Sequence, residues 1–298
     1  MATRKEVIEV TPAPAPHWVG DGFPVRSLFS AHSQDPAAIS PFLLLDHAGP
    51  KEFPPAPDGR PRGVDEHPHR GFETVTIVYQ GEIEHRDSSG NSGHIGPGDV
   101  QWMTAASGVV HEEKHGSAFT RQGGTLEMVQ FWVNLPQSHK MAEPRYQAIR
   151  SADIPSVTLP EQAGEARVIA GRFDQAAGPA STVTPMNVWD IRLNAGGTMN
   201  LSQPDGWNTL LVILTGQVKL DGHLVTAHQC ARLGRAGEAL QINAGDEGAM
   251  VLLLSGQPID EPVVAEGPFV MTSQDEIKQA MRDYQSGRMG QLPARGSP

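Results

Sequence analysis

The stretch HPHRGFETVTIVYQG, residues 67–81, decides the fold together with PGDVQWMTAASGVVHEEKH, residues 97–115. Both stretches have the alternation of a β-strand, in which every second side chain points to the same face. The H-x-H motif of the first stretch and the H-x-E motif of the second therefore each present two ligand-type side chains to one face. Two such pairs facing each other make a site of four. The predicted metal ligands are His67, His69, His111 and Glu113.

Four further residues lie near these motifs and are candidates for a supporting role. By strand alternation Glu73 shares the face of the H-x-H motif, and His115 shares the face of the H-x-E motif. Each of the two is a candidate ligand, hydrogen-bonding partner of a ligand, or surface residue. We favour the partner role for Glu73 and a solvent-exposed place for His115. Gln101 and Met103, on the strand between the motifs, are candidates to line the pocket.

Imidazole nitrogens and one carboxylate are donors that suit Fe, Mn, Co, Ni, Cu or Zn. Four protein ligands leave one or two positions open on a five- or six-coordinate ion, which is typical of a catalytic site rather than a closed structural one. The other histidines lack a paired neighbour, and we interpret them as surface or structural residues. They are His17, His32, His47, His85, His94, His139, His223 and His228.

The size and composition of the chain predict two all-β domains. A chain of 298 residues exceeds the usual size of one domain. The 32 glycines and 25 prolines, with no long helical period before the C-terminus, indicate many short strands joined by turns. The abrupt end of a strand at FWVNLP, followed by a polar segment, places the domain boundary there. The predicted domains are residues 1–135, which hold the metal, and residues 136–298, which do not.

Charge and cysteine content exclude several classes of protein. The net charge of −11 disfavours direct binding to nucleic acid phosphates. The single cysteine, Cys230, excludes an intramolecular disulfide, and the charged start MATRKEVIEV is unlike a signal peptide. No window approaches the roughly 18 apolar residues of a membrane span. These features predict a cytoplasmic protein without a membrane partner.

The second half of the chain contains a partial copy of the first. GWNTLLVILTG, residues 206–216, matches GFETVTIVYQG, residues 71–81, at a shift of 135 positions. The same shift puts Ser202 and Pro204 in the places of the H-x-H histidines. Aligning AGEALQI, residues 236–242, with PGDVQWM changes the shift to 139, and the H-x-E pair then falls on apolar residues, Met250 and Leu252. The repeat therefore predicts that only the first copy binds metal.

The C-terminus carries the one clear helix signal. Ser273 is a predicted N-cap and Glu276 completes a capping box. The predicted apolar face consists of Ile277, Ala280, Met281 and Tyr284. The segment RMGQLPARGSP, residues 288–298, is expected to be disordered.

The motifs HPHRGFETV, PGDVQWMTA, GVVHEE, FWVNLP, KMAEPRYQ and EGPFVMT resemble the pirin family of the cupin superfamily over roughly residues 20–285. The resemblance implies a bicupin, two stacked cupin β-jelly-roll barrels with a short C-terminal helix. It also implies one divalent metal, Fe(II) first and Mn, Ni, Co, Cu or Zn as alternatives, in the N-terminal barrel. The family's ligands match the four residues of the H-x-H and H-x-E motifs. The H-x-E pair departs from the wider cupin pattern in a way that is itself pirin-like.

Relatives of this kind are associated with two roles, and the fold alone decides neither. One is quercetin 2,3-dioxygenase activity, in which a flavonol bound to the metal reacts with dioxygen to give a depside and carbon monoxide. Glu113 would be the base in that reaction. The substrate would be a small aromatic molecule together with O₂. The alternative is a non-enzymatic module whose metal redox state controls binding of a protein partner, as in eukaryotic co-regulation of transcription. A third reading is a metal-dependent isomerase or hydrolase.

The ligand assignment predicts a simple difference between histidines. His69→Ala and Glu113→Ala should each lose bound metal and any activity, because each removes a donor atom. His228→Ala should lose neither, because it lies outside the motifs. Elemental analysis of the three purified variants measures this difference. Equal metal content in all three would contradict the assignment.

Overall fold

A computed structural model of the chain describes residues 3–293. Antiparallel strands joined by short turns dominate these residues, which confirms the predicted all-β class. The strands are β1 (Val7–Val10), β2 (His17–Val19), β3 (Phe23–Ser30), β4 (Phe42–Phe53), β5 (Gly63–His69), β6 (Phe72–Gln80), β7 (Ile83–Asp87), β8 (Ser92–Ile95), β9 (Val100–Thr104), β10 (Val109–His115), β11 (Gly124–Asn134), β12 (Arg145–Ile149), β13 (Ser156–Thr158), β14 (Gly164–Ala170), β15 (Arg172–Phe173), β16 (Ala176–Ala177), β17 (Met186–Leu193), β18 (Thr198–Ser202), β19 (Asn208–Leu220), β20 (His223–Thr226), β21 (Gln229–Leu233), β22 (Ala239–Gly256), β23 (Val264–Glu266) and β24 (Phe269–Met271).

Helical segments are short. The α-helices are α1 (Pro36–Ile39), α2 (Ser117–Gln122) and α3 (Gln274–Gln285), and single 3-10 turns lie at Gln137–His139, Ser151–Asp153 and Pro160–Gln162. Among the described residues, none of these helices is long and apolar enough to cross a membrane.

The described residues form two compact units. Unit A contains the residues up to Ala15, Arg26–Leu44 and Ala152–Asp260, and unit B contains Pro16–Val25, Leu45–Ser151 and the residues from Glu261 onwards. This division differs from the predicted contiguous domains 1–135 and 136–298. The N-terminal β1 pairs with β21 in unit A, and β12, which follows residue 136, pairs with β9 in unit B. A strand joins whichever sheet satisfies its backbone N–H and C=O groups, and composition does not reveal that choice.

Unit B is a β-sandwich. One sheet has the strand order β5-β10-β7-β8, and the other has the order β12-β9-β6-β11-β4-β3-β2. Every residue of β6 except Gln80 is buried, so β6 is a central strand of its sheet. The apolar core at one end of the sandwich consists of Phe23, Val25, Ala48, Phe53, Val78, Ile83, Ile95, Phe119, Leu126 and Met128. The candidate metal ligands lie on β5 and β10.

Unit A has its own sheet and its own core. Nine strands form one sheet in the order β1-β21-β19-β22-β17-β14-β13, with β18 added to β22 and β20 added to β19. The long strands β19 and β22 change register at two points, between Ile213 and Thr215 and between Gly216 and Val218. Such irregularities bend a sheet, so that it encloses a core. The core of unit A contains Trp189, Leu211, Ile213, Leu220, Ile242, Val251 and their buried neighbours.

The backbone supports the first part of the internal repeat. Gly71 and Gly206 both precede a central strand with positive φ, at +89° and +83°. Gly81 and Gly216, each ten residues further on, also have positive φ, at +80° and +73°. Because L-residues rarely adopt this conformation, the equivalent glycines mark equivalent bends of the backbone. The shift of 135 positions therefore relates β6 and β7 to β19.

The second part of the repeat alignment was wrong. In unit B, Glu113 of β10 lies opposite His85 of β7. The shift of 135 maps His85 to Leu220, and Ile242 of β22 lies opposite Leu220. Ile242 is therefore the counterpart of Glu113, whereas the predicted Met250 and Leu252 lie in the part of β22 that pairs with β17. The conclusion that apolar residues replace the second ligand pair still holds, because Leu240 and Ile242, the counterparts of His111 and Glu113, are buried in the core.

The C-terminal helix is confirmed, with two corrections. Ser273 caps α3, and the side chain of Glu276 completes the capping box. Ile277 and Ala280 are buried as predicted, but Tyr284 is 40% exposed. Met289 is buried in the same cluster as the helix, although residues 288–298 were expected to be disordered. Residues 294–298 of that segment lie outside the described residues.

A buried ion pair attaches this helix to unit B beside the H-x-H motif. Arg70 follows His69 directly, and its guanidinium donates a hydrogen bond of 2.8 Å to the Asp283 carboxylate. The same guanidinium donates to the Ser107 carbonyl at 2.6 Å. Both charged side chains are nearly inaccessible to solvent. The pairing matters for stability because a buried charge without a counter-ion is strongly unfavourable.

We expect Asp283→Ala to lower the free energy of unfolding by about 3 kcal/mol, because it leaves the Arg70 charge buried and unpaired. Asp275→Ala is the matched control on the same helix. Its pair with Lys278 is exposed, so the loss should stay below about 1 kcal/mol. Urea denaturation of both variants measures the difference. Equal losses of unfolding free energy in the two variants would mean that the buried ion pair contributes no more to stability than the exposed pair.

Candidate metal centre

Strands β5 and β10 are neighbours, and their register brings three imidazoles together. His67 lies directly opposite His111, and His69 lies opposite Val109. The ring centroids of His67 and His111 are 4.3 Å apart, and the ring centroid of His69 is 4.8 Å from each of them. One nitrogen of each ring lies within 4.8 Å of the others. Three nitrogens at this separation can bind a single metal ion.

Burial keeps two of these rings neutral. Burial, reinforced by the neighbouring imidazoles, lowers the pKa of His69 and the pKa of His111 well below the ordinary histidine value. Neutral imidazole has one nitrogen lone pair free to bind a metal, whereas imidazolium has none. Both rings therefore present a lone pair at neutral pH.

Backbone carbonyls orient the two rings of the H-x-H motif. Nδ1 of His67 donates to the Asp65 carbonyl at 2.7 Å, and Nδ1 of His69 is 3.4 Å from the Pro268 carbonyl. A proton held at Nδ1 by a carbonyl leaves the lone pair on Nε2. The rings are thus fixed in the tautomer that ligates through Nε2.

A third interaction, through His85 and Asp87, orients His111. Despite burial, which raises it, the pKa of Asp87 lies below its ordinary value because His85 and Asn91 donate hydrogen bonds to it. The carboxylate accepts from Nε2 of His85 at 3.3 Å, so Nδ1 of His85 is left as an acceptor. Nδ1 of His111 lies 3.3 Å from that atom and donates to it. The lone pair of His111 is therefore on Nε2.

Nε2 of His111 tests whether the site fits a metal ion. No residue in 3–293 makes a hydrogen bond to this buried atom. A buried polar atom without a partner destabilises the fold, and native proteins usually supply a partner. A metal bound by the three imidazoles would satisfy it. The donor set and this atom together fit a divalent transition metal.

Two glutamine side chains hold the Glu113 carboxylate. Nε2 of Gln130 donates to Oε2 of Glu113 at 2.8 Å, and Nε2 of Gln101 donates to Oε1 at 3.2 Å. The Thr76 hydroxyl lies at the limit of a hydrogen bond, 3.5 Å from Oε1. The phenol of Tyr146 donates in turn to Oε1 of Gln101 at 3.1 Å. Burial and the nearby Glu113 and Asp87 charges raise the pKa of this phenol to about 12, which keeps it protonated.

Of the two alternatives for His85, surface or structural residue, burial contradicts the surface position. His85 is 1% exposed, and with His111 and Glu113 it forms a second group of donors within 4.8 Å of one another. Its ring also stacks on Tyr146 at 5.0 Å. The signal in the sequence was the alternation of IEHRD on β7, which lies in the hairpin between the two motifs. Gln130 and Tyr146 were also missed, because their strands follow the motifs at a distance.

Glu73 does not lie on the face of the site. It pairs across the sheet with Thr104, whose hydroxyl donates to Oε1 of Glu73 at 2.6 Å. Strand alternation puts Thr76 and Gln101 on the opposite face, toward Glu113. The parity argument failed because β5 and β6 belong to different sheets, with Gly71 at the bend between them. Burial raises the pKa of Glu73 to about 7, although hydrogen bonds from neighbouring side chains oppose the increase.

The predictions for His115 and Met103 have different outcomes. His115 is 2% exposed rather than in solvent, and its Nε2 lies 3.0 Å from the Gly22 carbonyl. The rings of Phe53, Phe23 and Phe119 surround it edge-on, and burial lowers its pKa. Met103 lies on the same sheet face as Gln101 and is fully buried against Ala105, Val109 and Tyr146. It supports the wall behind the site.

Aromatic rings form the apolar wall next to His69. Phe72 and Trp132 lie 5.0 and 5.4 Å from the His69 ring, and 4.3 Å from each other. Trp132 is half-buried, and within the described chain its Nε1 has no hydrogen-bond acceptor. The site therefore combines nitrogen donors, a held carboxylate and an aromatic surface.

Comparison with known proteins agrees with this arrangement. The Pirin family profile matches residues 22–133, and the profile of the Pirin C-terminal cupin domain matches residues 188–290. A Pseudomonas aeruginosa protein named "Putative quercetin 2,3-dioxygenase" is 57% identical over 272 residues, which is 91% of this chain and 94% of that protein. This chain belongs to the pirin family. The human protein named Pirin is 36% identical over 85% of this chain and 83% of its own length.

A solved structure supports the same family and fold. The crystal structure of a quercetin 2,3-dioxygenase from Acinetobacter baumannii is 47% identical in sequence, covers 97% of this pirin-family chain and 99% of its own, and has a TM-score of 0.93. The fold is therefore that of two cupin β-sandwich domains with a short C-terminal helix. The donor groups of the candidate centre lie in the region of the first family profile.

The glutamines of this pirin-family site give a prediction for metal affinity. Gln130→Leu removes the shorter of the two amide hydrogen bonds to Glu113 and should weaken metal binding by about 10- to 100-fold, as loss of a group that orients a ligand commonly does. Gln80→Leu is the control, because the Gln80 amide donates to Glu127, outside the site. Competition with a chelator measures both affinities. An unchanged affinity in Gln130→Leu would remove Glu113 from the ligand set.

Proposed function

We propose that this protein is a metal-dependent dioxygenase that cleaves quercetin or a similar flavonol. The proposed metal is Fe(II), held by His67, His69, His111 and Glu113. The main support is the unpartnered Nε2 of His111, placed among other imidazoles and beside a held carboxylate. The names of relatives at 47% and 57% identity support the choice of reaction and substrate.

The proposed site can accommodate both a metal ion and a substrate. Three nitrogens and one carboxylate oxygen suit Fe(II), and Mn, Ni, Co, Cu or Zn fit the same donors. When bound, such an ion would supply a Lewis acid that lowers the pKa of a flavonol hydroxyl group. His67 is the only partly exposed member of the three imidazoles, so solvent and substrate would reach the site from its side.

Glu113 is the proposed general base. One carboxylate oxygen would accept the proton of the flavonol 3-hydroxyl group and leave an electron-rich enolate. Gln101 and Gln130 hold the carboxylate from two sides, so that it does not have to reorient during the transfer. The net reaction keeps both atoms of dioxygen in the depside product and releases one ring carbon as carbon monoxide.

The aromatic wall supports a planar substrate. Phe72 and Trp132 would pack against the flavonol rings and exclude water from the reacting carbon atoms. The free N–H of Trp132 could donate to a flavonol oxygen, which would satisfy a donor that has no acceptor in the described chain.

The decisive experiment compares two neighbouring glutamates. We expect Fe(II)-loaded wild-type protein to consume quercetin in air and release carbon monoxide, and Glu113→Gln to be at least about 100-fold slower, because the amide cannot accept the proton. Glu112→Gln is the matched control, because the Glu112 carboxylate pairs with Arg86 instead. Quercetin absorbance, carbon monoxide and metal content are measured in all three proteins.

Metal content separates the two roles of Glu113. A Glu113→Gln variant that keeps its metal but loses turnover supports the base, and one that loses its metal supports the ligand. Wild-type protein that retains metal but shows no turnover with Fe, Mn, Ni, Co or Cu would refute the dioxygenase. The protein-interaction module would then be the leading hypothesis.

A further inference from the structure

Unit A contains a cavity at the place where the repeat has lost its ligands. Its volume is about 530 Å³, which is within the usual range for small-molecule sites. Ser202 and Pro204, which the sequence shift of 135 sets against His67 and His69, line it together with Gln203. Strand pairing gives a different equivalence, because Leu201 lies opposite Leu240 as His67 lies opposite His111. Gln203, two residues after Leu201, therefore takes the place of His69, so that a buried amide stands where unit B has an imidazole. The lining of the cavity therefore suits a class of ligand other than a metal ion.

The side-chain amide of Gln203 is held in a fixed orientation, and its N–H group has no acceptor in residues 3–293. Gln203 is fully buried, and its Oε1 accepts a hydrogen bond of 2.8 Å from Nδ2 of Asn187. Oδ1 of Asn187 accepts in turn from the Arg172 backbone N–H at 3.1 Å. These bonds fix which end of each amide is the oxygen. Nε2 of Gln203 is left with no partner anywhere in residues 3–293.

The remaining lining is apolar with charged groups at the rim. Trp207, Pro204 and Met186 supply apolar surface, and Trp207 stands where unit B has Phe72, which packs on a ligand ring there. Arg172 is exposed and makes no ion pair within the described chain. Glu238 also lines the cavity and disfavours a ligand with two negative charges. A buried donor and a nearby cation favour a singly charged oxygen acceptor.

We propose that this cavity binds a small aromatic monocarboxylate. A carboxylate oxygen accepts from Nε2 of Gln203, and the Arg172 guanidinium balances its charge. The aromatic ring packs between Trp207 and Pro204. The site needs no metal, because Leu220 and Ile242 fill the positions of His85 and Glu113.

Calorimetric titration of the full chain with benzoate, 4-hydroxybenzoate and 3,4-dihydroxybenzoate tests the proposal. We expect wild-type protein to bind at least one of the three acids, and Gln203→Leu and Arg172→Ala each to weaken that binding at least about tenfold, because each removes a charge-assisted or buried contact. Methyl benzoate, which has the ring without the charge, should bind more weakly than benzoate. Trp207→Leu, at the cavity edge, should also weaken binding and does not disturb the Asn187–Gln203 pair.

Two controls separate this cavity from the metal centre. Gln217→Leu makes the same change at an exposed position of β19 and should leave the affinity within twofold of wild type. His69→Ala should do the same, because it alters only unit B. Absence of binding by wild-type protein to all three acids would overturn the proposal. So would binding that survives both Gln203→Leu and Arg172→Ala, or binding that disappears in His69→Ala.

Discussion

The candidate site depends on one electrostatic constraint: the imidazoles of His69 and His111 must be buried side by side and remain neutral. Charged rings would repel one another and lose their hydration, so the fold has to fix both protonation and tautomer. Hydrogen bonds in the chain Asp87–His85–His111 set the tautomer of His111, and backbone carbonyls set the tautomers of the other two rings. Strands β5, β10 and β7 must keep their register for these bonds to form. The β-sandwich therefore holds the nitrogen donors of the site in fixed positions and tautomers.

The two halves of the repeat solve the same packing problem differently. Equivalent glycines turn the chain before equivalent strands, yet unit A buries Leu220 and Ile242 where unit B buries donor groups. Apolar side chains need no polar partners, so these positions of unit A need no metal to satisfy them. Among the positions equivalent to the ligands, a polar side chain persists at Gln203, just after the end of β18. Loss of a metal site thus changes the chemistry of a cavity without closing it.

Local patterns in the sequence predicted the parts of the structure that depend on neighbours in the chain. The H-x-H and H-x-E motifs each lie on one strand, and the cap at Ser273 is set within one helical turn. The role of Glu73 and that of His85 depend instead on which sheet each strand joins. Alternation gives the faces of a strand but not the sheet that a face meets. The aligned repeat failed at the same point, because strand pairing rather than residue similarity decides equivalence.

The C-terminal segment determines when, during synthesis of the chain, the histidines of the candidate centre gain their supporting contacts. The Pro268 carbonyl orients His69, and Asp283 neutralises Arg70 beside it. A ribosome delivers the chain from its N-terminus, so β5 and β10 emerge long before these partners. The last strand of the unit A sheet ends at Gly256, and that unit can close while the histidines still lack their support. Formation of the candidate centre therefore follows the synthesis of residues that lie 199 positions or more after the histidine they support.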